Sequence, residues 1–131
     1  MECGIFLAPP QVYELSRINN LSDYQSIRYF AQDRERYGVQ QWMPVTASFD
    51  DGICFLLPGD DLYPKQLDQS KANPLIHHAS MFSQARSMVN NLNRIELFNG
   101  VFTCVCNQKL PCGHLRPISD TSCVKPLRSM L

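Results

Sequence analysis

Two adjacent aspartates, Asp60 and Asp61, stand near the end of the stretch "FLLPGDDLYP", residues 55–64. Carboxylates are hard oxygen ligands, so such a pair following Pro58-Gly59 could hold magnesium. Aspartate is also a favoured turn residue, because its carboxylate accepts a hydrogen bond from the backbone amide two residues on. On spacing alone the turn is the better reading. A second cluster, Cys104-x-Cys106-x5-Cys112-x-His114, has the donor types of a tetrahedral zinc site. Zinc loops usually separate paired cysteines by about two to four residues. Cys104 and Cys106 instead sit two apart on a predicted strand, where both face one side as packing residues do. The histidines are His77, His78 and His114. Cys112 with His114 is the one close nucleophile–base pairing, and nearness in sequence does not establish catalytic geometry. His77 and His78 are assigned to a connecting segment. There is no glycine-rich phosphate loop, and aromatic residues are not interleaved with basic ones as on nucleic-acid platforms.

These groups belong to a chain of 131 residues, one domain's worth, with 44% hydrophobic side chains to build a modest core. Twelve Lys and Arg balance twelve Asp and Glu, so no global field attracts nucleic acid or an anionic membrane. No apolar run reaches the roughly 18 residues of a membrane span. The start "MECGIFLAPPQ" lacks the basic-then-apolar pattern of a secretory leader. An intracellular, soluble chain is the expectation. Its six cysteines are then expected to be reduced, apolar fillers rather than disulfides.

Positioning falls to helices and hairpins. "LAPPQVYELSRINN" reads as a helix opened by two prolines, with Val12, Leu15 and Ile18 as its apolar stripe. "LSDYQSIRYFAQDRERYG" reads as a second, with Ser22 and Gln25 at capping-box spacing, a stripe of Tyr24, Ile27, Phe30 and Ala31, and Gly38 as its stop. From Gln41 the period changes to two, with Met43, Val45, Ala47 and Phe49 alternating against Trp42, Thr46 and Ser48. Asp50 to Gly52 is the tight turn of a hairpin whose return strand is "ICFLL". Pro44 places the first strand at a sheet edge. Residues 58–80, with Pro58, Pro64 and Pro74, read as a linker or flap. "MFSQARSMVNNL" presents Met81, Phe82, Ala85, Met88, Val89 and Leu92 on one helical face. "RIELFNGVFTCVC" is a second hairpin about Asn99-Gly100. His114 to Ile118 would be one last short strand, before a tail over 119–131. The whole is an α+β chain forming a single partial domain over 1–131: a helical pair (1–39), a hairpin (41–57), the flap (58–80), a helix plus hairpin (81–118) and the tail.

Three segments, "IFLAPPQVYEL", "WMPVTASFDDGICFLLPGDDLYPK" and "NRIELFNG", occur in the order and spacing of the C-terminal part of the Nudix acyl-coenzyme A diphosphatases, which the chain resembles. The resemblance implies hydrolysis of the diphosphate of coenzyme A or acyl-coenzyme A with magnesium or manganese. That chemistry is carried by the Nudix box, G-x5-E-x7-R-E-U-x-E-E-x-G-U, whose glutamates gather cations on one helix face. The box is absent from this chain. Its glutamates are Glu2, Glu14, Glu35 and Glu96, and "RERYGV" has Arg36 and Tyr37 where acidic ligands are needed. No catalytic or metal-binding residue is therefore carried over, and the chain alone is expected to be inactive and to bind no metal. It would be an incomplete C-terminal part of a Nudix-type fold whose two leading helices have lost the sheet they pack on. The ending Ser129-Met130-Leu131 resembles the Ser-Lys-Leu peroxisomal address with methionine for lysine, which leaves a peroxisomal or cytoplasmic location open. Two further readings stand beside this one: an interaction module docking through the Met81 to Leu92 stripe, and a small zinc domain at Cys104 to His114.

Overall fold

Pro9 and Pro10 occupy the first turn of α1 (Pro9–Ile18), where no amide needs an intrahelical partner. Gln11 closes the entry, its Oε1 accepting from the Ala8 N–H at 2.9 Å. The computed structural model describes residues 7–68, 75–107 and 115–117. Helix α2 (Tyr24–Arg34) runs into a single 3-10 turn at Glu35–Tyr37, and Gly38, at φ 70°, ends it. Its N-cap is Asp23 rather than Ser22, because the Asp23 carboxylate accepts from the Ser26 N–H at 2.8 Å.

The strands β1 (Val45–Phe49), β2 (Gly52–Leu56), β3 (Ile76–His77), β4 (Asn93–Phe98) and β5 (Val101–Cys106) form one sheet in the order β3-β1-β2-β4-β5. Both expected hairpins are present. Phe49 pairs with Gly52, so Asp50-Asp51 form the first turn and Gly52 opens the strand. A Cβ on Gly52 would drive into the Leu97 carbonyl oxygen and press the Phe82 ring at 3.0 Å, which explains a glycine at this ladder position. The second hairpin turns on Asn99 (φ 47°) and Gly100 (φ 78°), the two positive angles of a type I′ turn.

The strands bury two faces. On one, Ile95, Phe102 and Cys104 pack under Val12 and Tyr13 of α1. On the other, Val45, Ala47, Phe49, Cys54 and Leu56 pack under Phe82 and Ala85, with Leu62, Tyr63 and Leu67 beside them. The α+β class holds, with helices on opposite faces of a mixed sheet.

Several local expectations change. The first helix has not lost its sheet: Val12, Tyr13, Ser16 and Arg17 bury against this chain's own strands, while Leu15 and Ile18 of the expected stripe stay half exposed. No residue of α2 is buried. Pro44 lies outside β1, and that strand is not an edge, because β3 adds to it in parallel at Ala47 and Ser48. The segment 58–80 thus carries a sheet strand as well as its turns. Helix α3 is only Phe82–Ser87, and Met81 and Met88 are exposed, so the Met81 to Leu92 stripe does not exist as one face. Leu115 to Pro117 form no strand; the carbonyls of Leu115 and Arg116 accept from Arg17 Nε and Asn20 Nδ2 instead. His114, Ile118 and the tail lie outside the described residues.

Candidate functional site

The turn after β2 determines what the two aspartates do. Gly59, at φ 96°, swings the chain back toward the start of β4 and delivers Asp60 beneath the sheet. Its Oδ1 accepts from the Leu62 N–H at 3.0 Å and from Arg94 Nη2 at 2.6 Å. Its Oδ2 accepts from the Asn93 N–H at 2.9 Å and from Arg94 Nε at 2.7 Å. Both side chains of this ion pair are fully enclosed. Asp61 stays outside: its Oδ2 takes the N–H groups of Asn90 and Asn91, at 2.8 and 2.9 Å, and its Oδ1 the Asn91 side-chain amide. The expected bond to the amide two residues on is the one Asp60 makes to Leu62.

A metal reading meets a chemical obstacle here. The Asp60 lone pairs are taken by four donors, two of them from a guanidinium that would repel a dication. Glu96, also buried, is held by Arg86 through a two-pronged contact. The carboxylates of this region do not fit a magnesium or manganese ion, and no group of three His, Cys, Asp or Glu among the described residues could hold one. The zinc candidate fares similarly in its described half. Cys104 is fully buried in the α1 face of the sheet, where Ser16 Oγ donates to its sulfur at 3.6 Å. Burial pushes the Cys104 and Cys54 thiols up, away from the thiolate that zinc requires. Cys112 and His114 lie outside the described residues. His77, placed on β3, approaches Ser48 Oγ at 2.6 Å, and His78 stacks on Phe49 with ring centres 5.0 Å apart.

A different feature was not legible in the sequence. Between α1, α2 and residues 40–44 lies a cleft of about 240 Å³ walled by Tyr13, Arg17, Arg34 and Trp42. It shares Glu14, Arg17, Arg34 and Gln40 with a groove of about 400 Å³ between the two helices, lined by Ile18, Leu21, Ile27 and Phe30. Tyr13 and Trp42 lie with ring centres 5.9 Å apart. The Tyr13 hydroxyl donates to Asn93 Oδ1 at 2.8 Å, and burial raises its pKa far above the ordinary phenol range. Arg17 is compensated by Glu14 at 2.8 Å. Arg34 has no carboxylate partner among the described residues; its guanidinium lies 5.3 Å above the Phe30 ring. Only parts of the two expected stripes line the groove, Ile18 of α1 and Ile27, Phe30 and Ala31 of α2, while Val12 packs on the sheet.

With this geometry the chain can be placed. The family model described as the NUDT19 C-terminal domain matches residues 46–107, the sheet with its aspartate turn. The chain is similar to the acyl-coenzyme A diphosphatase NUDT19 of Xenopus laevis, at 32% identity over 119 residues, 90% of this chain and 31% of that protein. It is similar to the enzymes of that name from Gallus gallus, at 48% over 64 residues, and Homo sapiens, at 38% over 64 residues, each match covering 17% of the relative. The chain thus spans about a third or less of the relatives it matches. No solved structure matches it.

Two outcomes follow from the aspartate turn. Asp60→Ala leaves the Arg94 charge enclosed without its counter-ion and is expected to cost about 3–5 kcal/mol, read from urea unfolding. The paired change Asp60→Leu with Arg94→Met is expected to recover most of that loss, and a double variant no better than the single one would contradict the assignment. The second outcome concerns pH. The Asn91 and Asn90 amides hold the Asp61 carboxyl below its ordinary value. Its folded pKa lies below the unfolded one, so its stabilisation is complete above the unfolded value and is lost as pH falls through the folded value. Urea midpoints compared from about pH 6 to about pH 3 should therefore fall more steeply for the native chain than for Asp61→Asn.

Proposed function

We propose that the chain is the scaffold-forming C-terminal part of a Nudix hydrolase that splits the diphosphate of coenzyme A and its acyl thioesters, with magnesium or manganese supplied at a Nudix box elsewhere in the full protein. The relatives are named acyl-coenzyme A diphosphatase, and the matching family model is that of the NUDT19 C-terminal domain. The single observation that carries the division of labour is the Asp60 carboxylate. It is enclosed with Arg94 and is spent on that guanidinium and two backbone amides. When bound, the cation would neutralise the diphosphate and activate water. The described residues of this chain supply structure and one wall of a cleft, and among them no group of three His, Cys, Asp or Glu could hold that cation.

The reading has a direct assay. Purified chain with magnesium or manganese and octanoyl-coenzyme A should release no phosphopantetheine product. A chain extended upstream by a segment containing R-E-U-x-E-E should release it. Turnover by the unextended chain at the rate of a full-length relative would defeat the proposal. A peroxisomal location belongs to the same reading and rests on Ser129-Met130-Leu131 alone. Residues 119–131 fused to a fluorescent protein should enter peroxisomes, more strongly with Met130→Lys, and diffuse signal from both fusions would remove the address.

A further inference from the structure

The groove between α1 and α2 already holds one residue from far along the chain. Leu115 lines it together with Ile18, Leu21, Ile27, Phe30 and Ala31. Two hydrogen bonds from α1 and its cap fix this segment in place. Arg17 Nε donates to the Leu115 carbonyl at 3.0 Å, and Asn20 Nδ2 donates to the Arg116 carbonyl at 2.8 Å. The backbone thus runs beside α1 from Arg17 toward its C-terminal end, where Leu21 and Ile27 lie, and residues 118–131 follow Pro117. Leu115 leaves the groove open, with a volume of about 400 Å³. Ile18 is 38% exposed, and Ile27 and Phe30 are only partly covered. Helix α2 buries no residue, and its 11 residues are too short to be stable by propensity alone.

We propose that the C-terminal segment beginning at Ile118 is the occupant of this groove, a strap that lays Ile118 against Leu21, Ile27 and Phe30 and holds α2 on the fold. Continuity of the chain selects this occupant over a separate partner. Ile118 is two residues beyond the fixed Arg116 carbonyl, so even a fully extended backbone keeps its Cα within about 7 Å of the Arg116 Cα. A tether this short gives the side chain an effective concentration on the order of millimolar or above, enough to populate a contact too weak for a free peptide. Pro117 also shapes the path. It disfavours helix at Arg116, and a polyproline-type backbone with three residues per turn brings Ile118 to the side of the chain on which Leu115 meets the groove. Burying an isoleucine there removes apolar surface of both helices from water. The strap is independent of the hydrolase reading, since it concerns only how α2 is held.

Hydrogen exchange followed by mass spectrometry on the whole chain reads α2 separately from the sheet. The native chain is compared with Ile118→Asp, with Ile118→Leu and with a chain ended after Pro117. Amides of Tyr24–Arg34 should exchange about tenfold faster in Ile118→Asp and in the shortened chain. Those of β2 and β4 should keep their protection, which reports that both variants are folded. Ile118→Leu, which keeps an apolar side chain of the same size, should exchange as the native chain does. The contact has a reciprocal check in Ile27→Ala, which should speed α2 exchange by itself. Adding Ile118→Ala to it should then have a smaller effect than Ile118→Ala in the native background. Native α2 exchange in Ile118→Asp, equal acceleration in the sheet and α2, or fully additive effects of the two alanines would overturn the strap. So would α2 exchange that slows as protein concentration rises, because a second copy would then cover the groove.

Discussion

The enclosed ion pair between Asp60 and Arg94 is the constraint around which the fold is arranged. Removing both charges from water costs several kcal/mol per ion, and it is tolerable only where the remaining hydrogen-bonding capacity is used. Asp60 meets that condition with four bonds, two to Arg94 and two to the amides of Leu62 and Asn93. Arg94 meets it less completely, since its Nη1 is buried without a partner among the described residues. Meeting the condition fixes geometry. The Pro58-Gly59 turn must place Asp60 under β4, so the exit of β2 and the entry of β4 cannot slide past each other. Asn93 extends the constraint to the opposite face. Its side-chain amide donates to the Pro58 carbonyl at 2.8 Å, its Oδ1 accepts from the Tyr13 hydroxyl, and its backbone carbonyl accepts from the Leu57 N–H. One residue at the start of β4 thus connects the aspartate turn below the sheet to α1 above it.

What the sequence disclosed and what it concealed divide along sequence distance. The Asn99-Gly100 hairpin, the Val45–Phe49 alternation and the proline-led start of α1 rest on contacts within a few residues, and each was legible. The strand "RIELF" read as alternating, which is right about period and silent about which face is wet. Arg94 and Glu96 are buried, because their counter-ions arrive from Asp60 and Arg86, 34 and 10 residues away. The same cause shortened the third helix. The amides of Asn90 and Asn91, which could have continued it, are taken by Asp61 from 29 and 30 residues upstream. Local apolar spacing through Met88 and Leu92 could not report that competition. The parallel addition of Ile76–His77 to β1 is likewise a long-range pairing, hidden behind a proline-rich segment that reads as a flap.

The candidate site was legible in chemistry and illegible in occupancy. Asp60 and Asp61 are the right donors for a hard cation, and only the arrival of Arg94 and the Asn90-Asn91 amides shows that their lone pairs are committed. The two aspartates divide the labour by exposure. Asp60 stabilises by satisfying an enclosed cation, and removing it leaves a charge in the core. Asp61 stabilises at the surface by fixing the chain where α3 ends, with a screened and pH-dependent contribution. Neither arrangement leaves a carboxylate to act on a diphosphate, which accords with a domain whose relatives extend far beyond the matched segment.

The two helical layers show why structure and recognition separate in this chain. Helix α1 is committed to the sheet through Val12, Tyr13 and Ser16, and its remaining apolar residues, Leu15 and Ile18, point away from that core. Helix α2 sets Ile27 and Phe30 in the groove that Ile18 also lines and buries none of its own residues. A helix capped by Asp23 and ended at Gly38, yet held by so little packing, depends for its rigidity on what fills the space beside it. Arg34 lies on that helix and lines both clefts, so the shape of each cleft depends on how α2 is held.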